Sequence, residues 1–126
     1  MKDYEGALGY YQQALRVQEK VMGKTHPNTL MTIMGIAGAY LDGLKDFTKA
    51  EMIYRLALDG FERSKGKDHR DTKTCAMNMA KLFVMDHPDK RKAKEIIKAY
   101  PFLPNDPMAG PYIALLLGDR SESEDE

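Results

Sequence analysis

The chain has 126 residues, with 19 basic side chains, 19 acidic ones, one cysteine and nine methionines. This balance excludes a global field for nucleic acid or a membrane surface, and no apolar run approaches the roughly 20 residues that span a bilayer. A lone cysteine fits a reducing compartment without disulfides, so the expected location is cytoplasmic, and the length suits one small domain over residues 1–118.

Tyr4, Ala7, Leu8, Tyr11, Leu15, Gln18 and Met22 recur at spacings of three and four, which predicts a helix over 3–22. Gly23 closes it, because glycine adopts the positive φ that ends a helix, and His26-Pro27 opens the next over 27–41, with Ile33, Ile36, Ala37 and Tyr40 inward. Asp42 to Lys45 reads as a short turn. A helix over 46–65 follows, carrying Phe47, Ala50, Ile53, Tyr54, Ala57, Leu58 and Phe61 on one side, and Gly66 closes it. The next helices are expected over 69–85, with Ala76, Met79, Ala80 and Phe83 inward, and over 89–100. Pro101, Pro104, Pro107 and Pro111 then break the pattern, leaving 108–117 as a short capping helix. Residues 119–126 hold five acids and one arginine and are expected to form an acidic disordered tail, with Ser121 and Ser123 as possible phosphorylation sites beside acids.

These elements repeat. His26, Thr29, Ile36, Ala37, Tyr40, Asp46, Ala50 and Tyr54 recur 43 residues later as His69, Thr72, Met79, Ala80, Phe83, Asp89, Ala93 and Ile97. Backward, the same step pairs Tyr4 with Phe47, Ala7 with Ala50, Tyr11 with Tyr54, Ala14 with Ala57 and Gly23 with Gly66. Recurrence at a fixed period marks stacked supersecondary units that bury their apolar faces against neighbours. The fold class is therefore all-α, as antiparallel helical hairpins stacked in a short solenoid.

The links Gly23, His26, Pro27, Thr29, Leu30 and Gly66, His69, Thr72, together with Phe47, Ala50, Tyr54, Ala57 and Leu58, resemble the tetratricopeptide repeat. The likeness is closest to the long repeats of kinesin light chains. The step is one residue longer than in those relatives, because Tyr40 to Phe47 and Phe83 to Lys90 each take seven positions. The resemblance implies a right-handed tetratricopeptide-type solenoid whose concave face, lined by first helices, receives a peptide or protein partner. Its first repeat lacks a first helix, as a fragment of a longer array or a degenerate member would.

On this chain the corresponding peptide-binding positions are Met31, Met34 and Gly38 in the earlier first helix and Thr74, Met77, Asn78 and Lys81 in the later one, with Leu41 and Val84 beside them. A methionine-rich groove is soft and favours an apolar partner. The same methionines are equally compatible with contacts to a neighbouring helix or capping segment. A rival reading is a structural or self-assembly role, as a homo-oligomer stacking through terminal repeats, with Tyr4, Leu8, Tyr11 and Leu15 at stake.

Catalytic chemistry has little support, and no enzyme activity or cofactor is expected. His26, His69 and His87 are the only histidines, and the first two sit where helix caps explain them. Cys75 has no histidine near it on its helix face and reads as a buried thiol. Asp68, His69 and Asp71 offer too few ligands for a zinc site, so no metal is expected. Lys90, Arg91, Lys92, Lys94 and Lys98 make one helix basic, but no aromatic platform is interleaved with them, so no nucleic acid partner and no membrane contact are expected.

Overall fold

The caps at Gly23 and Gly66, His26 and His69, and Asp46 and Asp89 recur with the 43-residue step. In the computed structural model, which describes residues 4–118, the helices are α1 (Tyr4–Met22), α2 (Pro27–Gly38), α3 (Phe47–Lys65), α4 (Arg70–Lys81), α5 (Lys90–Ala99) and α6 (Ala109–Leu117). The expected tail over 119–126, with Ser121 and Ser123, lies outside the described residues. Gly23 and Gly66 adopt φ of 95° and 86° after α1 and α3, a conformation that costs any residue with a Cβ. The histidines then cap: Nδ1 of His26 accepts the Asn28 amide at 3.1 Å, and Nδ1 of His69 accepts that of Asp71 at 3.1 Å. Asp46 and Asp89 do the same for α3 and α5, accepting the amides of Lys49 and Lys92, each at 3.1 Å.

Each repeat carries a π-turn at the end of its first helix. Helical backbone continues beyond α2 through Ala39–Gly43 and beyond α4 through Leu82–Asp86, so the turn expected at Asp42–Lys45 starts inside a helix. The Leu44 amide donates to the Ala39 carbonyl and, 43 residues on, the His87 amide donates to the Leu82 carbonyl, closing the wider ring in both places. An aromatic residue in each π-turn stands under a lysine of the following helix. The Lys49 ammonium lies 5.3 Å from the Tyr40 ring centroid and that of Lys92 lies 5.9 Å from Phe83.

Backbone contacts divide the chain into two compact units, Met1–Cys75 and Ala76–Glu126. In the first, α2 is flanked by α1 and by its antiparallel hairpin partner α3. Leu8, Ile36 and Ala39 form the centre of a core joined by Tyr11, Leu15, Tyr40 and Ile53. Gly35 has no Cβ to obstruct the Tyr11 ring, and Gly43 lies directly under Tyr4. Ala50 and Ala57 on α3 are completely buried, as small-into-large packing requires. In the second unit, the proline-rich segment after α5 is ordered: Leu103–Asn105 form a single 3₁₀ turn, Leu103 is fully buried, and α6 packs against α5 and the π-turn Leu82–Asp86.

Candidate partner-binding cleft

The first-helix positions of the two repeats meet different environments. In the first unit, α2 is occupied on two sides, and little of it remains open. Met31 is 51% exposed, but Met34 is only 9% exposed, so the surface expected of Met34 is buried. Gly38 is half-buried, with the Tyr54 hydroxyl 3.8 Å from where its Cβ would stand, and Leu41 is buried. Thr74 is exposed at the start of α4, where its hydroxyl donates back to the Arg70 carbonyl at 2.9 Å.

In the second unit the expected positions converge. Met77, Asn78, Lys81, Val84 and Met85, spaced to share one face of α4 and its π-turn, form one wall of an open cleft of about 350 Å³. Met108, just before α6, and Ala109 and Tyr112 within it form the other wall. That wall is set by the way α6 begins. The Asp106 carboxylate accepts the amides of Met108 at 2.9 Å and Ala109 at 2.8 Å, and Gly110, having no Cβ, lets the helix settle on the Pro104 carbonyl.

The cleft is chemically simple. Three methionines, a valine, an alanine and a tyrosine supply apolar and polarisable surface, Asn78 supplies one amide, and the rim carries Lys81. The Lys81 ammonium is held 3.0 Å from a carboxylate oxygen of Asp86, so the rim is locally neutral. Such walls can accept apolar side chains of a bound segment, while the Asn78 amide can both donate to and accept from a peptide backbone. Sequence reasoning reached Met77, Asn78, Lys81 and Val84 but missed Met108, Ala109 and Tyr112. Their signal was the spacing of Met108, Tyr112 and Leu115 on a helix more apolar than a cap needs.

The faces proposed for stacking are taken up otherwise. Leu8 is buried, and Tyr4, Tyr11 and Leu15 are partly buried; these residues turn toward α2 and its π-turn rather than outward. Cys75 is fully buried, its thiol lies 3.5 Å from the Tyr54 carbonyl oxygen, and burial, helped by the Glu62 carboxylate, pushes its pKa up to about 12. A thiol held neutral in this way is not a nucleophile. Among the described residues no group of three or more histidine, cysteine or acidic side chains is placed to hold a metal ion, and no helix is long and apolar enough to cross a membrane.

Comparison with known proteins adds one local finding. The family model described as tetratricopeptide repeat matches residues 1–28, which cover α1 and the link into α2. Comparison with curated proteins yields no match. The helical-repeat architecture is thus supported by a recognised repeat at the amino-terminal end and by paired antiparallel helices elsewhere.

Proposed function

We propose that the chain is a non-enzymatic protein-interaction module, a short right-handed array of the long tetratricopeptide type found in kinesin light chains. In this reading it holds an apolar peptide or protein segment in the cleft between α4 and α6, and it works in the cytoplasm. The observation that carries the proposal is the cleft itself: walls of Met77, Val84, Met85, Met108 and Tyr112, with one amide and one neutralised ion pair. Apolar side chains anchor such a segment and Asn78 orients its backbone. Methionine-lined walls adapt to different side chains, so selection is by apolar pattern more than by a single residue.

The test is selection of binders from a random peptide library on the intact chain, followed by titration against variants. Met77→Glu should weaken the selected peptides by about tenfold or more, because it places a charge in an apolar wall. Met52→Glu, on an exposed position of α3, should leave them unchanged. Peptides that bind Met77→Glu as tightly as the parent would refute the assignment of this cleft.

A further inference from the structure

Helix α5 carries five cations, Lys90, Arg91, Lys92, Lys94 and Lys98, against one acid, Glu95. Packing divides them. Ala93 and Ile96 are buried, and Lys92 lies over the Phe83 ring on that inner side. Lys90, Lys94 and Lys98 stand at i, i+4 and i+8, with Arg91 three positions before Lys94 and seven before Lys98, so these four share the outer face. Arg91 and Lys98 are exposed, and Lys90 and Lys94 are half-buried. The stripe they form is about 12 Å long. The acids that lead into α5 are engaged elsewhere, for Asp89 accepts the Lys92 amide at 3.1 Å and Asp86 holds Lys81 at 3.0 Å. Lys90 and Lys94 take part in contacts of their own, so the stripe attracts through its summed charge and not through one ammonium. The cleft walls come from α4, its π-turn and the start of α6, which makes this stripe a separate surface.

The opposite charge is present in the same chain. Residues 119–126 include Asp119, Glu122, Glu124, Asp125 and Glu126 with one cation, Arg120. Five acids against one cation balance the five cations against one acid on α5. The segment follows α6, and α6 packs against α5 and against the π-turn Leu82–Asp86, which leads into α5. The nine residues of α6 extend about 14 Å, so Gly118 stands no farther than that along the helix from its contact with α5. Eight residues span up to about 26 Å, about twice the length of the stripe, which brings the acids within reach of it. We propose that the acidic segment 119–126 lies along the outer face of α5 and covers it, as an intramolecular competitor for any anionic partner. The tether supplies the acids at an effective concentration of about millimolar, so a contact made of screened surface charges still forms at low ionic strength. This cover is independent of the cleft's role as a peptide site.

The experiment is paramagnetic broadening of amide resonances in the whole chain, with a nitroxide on Ser123→Cys, a change that keeps every charge. Cys75 is fully buried with its thiol held neutral and stays unlabelled. Amide intensities with the nitroxide oxidised are divided by those with it reduced. Over residues 90–98 this ratio should be about twofold lower in about 20 mM salt than in about 0.5 M, because the screening length shrinks from about 20 Å to about 4 Å. Arg91→Glu with Lys98→Glu, both at exposed positions, should abolish that difference. Neutralising the segment by Glu122→Gln, Glu124→Gln and Asp125→Asn should do the same. Matching thermal melts establish that the α5 variant folds, and Arg91→Gln with Lys98→Gln replaces it if it does not. Equal ratios at both salts overturn the proposal. So does a salt-dependent loss that survives either set of substitutions. The same loss on unlabelled chains mixed with labelled ones also overturns it, because the acids would then belong to a second copy.

Discussion

Thr29 and Thr72 occupy equivalent positions in the two links and are both completely buried, yet they differ in one bond. The Thr29 hydroxyl donates to the Gly23 carbonyl at 2.8 Å, whereas the Thr72 hydroxyl has no hydrogen-bond partner among the described residues. Valine keeps the β-branch and nearly the same helix propensity, so replacing each threonine by valine isolates the hydroxyl. At Thr29 the change removes a hydrogen bond worth about 1 kcal/mol, and because Gly23 is only half-buried, water can reach the carbonyl and no larger penalty follows. At Thr72 it removes a buried hydroxyl whose desolvation is uncompensated, which returns about 1 kcal/mol or more. Thr29→Val should therefore lower the melting midpoint by about 3–5 °C, and Thr72→Val should raise it by a similar amount. Both sites lie in the same compact unit, so thermal and urea melts followed by circular dichroism read them on one transition. Shifts of the same sign and size would refute the reasoning, because they would mean that the two hydroxyls are equally satisfied.

Other expectations follow from packing and titration. Ala57→Leu should overpack the α2–α3 seam and cost about 1–3 kcal/mol, and an unchanged urea midpoint would show that this seam is not closed. Gly66→Ala should cost about 1–3 kcal/mol from its backbone conformation alone, φ 86° and ψ 164°, since no atom lies within 4 Å of the added Cβ; a van't Hoff analysis showing no loss would place that residue in another conformation. The Cys75 thiol is raised from the ordinary 9.0 to about 12, so the unfolded chain ionises first as pH rises. The stability associated with this thiol is full below about pH 9 and is lost as pH climbs toward 12, and Cys75→Ala should flatten the decline in urea midpoint between about pH 8 and pH 10. Identical slopes in parent and variant would show that the thiol is not buried in solution.

The sequence by itself determined what depends on neighbours along the chain. Gly23 and Gly66 stop helices through their own φ, His26, His69, Asp46 and Asp89 cap amides two or three residues away, and the 43-residue recurrence shows that the hairpins repeat. Met77, Asn78 and Lys81 were legible as one helix face for the same local reason. What the sequence left open depends on which neighbour arrives on which side. The seven-position step from Tyr40 to Phe47 and from Phe83 to Lys90 was visible in the sequence, but a loop and a π-turn can span it equally, and the backbone closes the π-turn through Ala39 and Leu82. Met31 and Met34 lie three positions apart on one apolar helix, and only the packing of α2 between α1 and α3 leaves the first open and buries the second. Tyr11 and Tyr10 are adjacent tyrosines, one against Gly35 and the other in solvent, because α2 covers a single side of α1. The second wall of the cleft, Met108 and Tyr112, comes from a helix far along the chain from Met77, and burial and proximity of that kind are set by tertiary contacts that no local periodicity encodes.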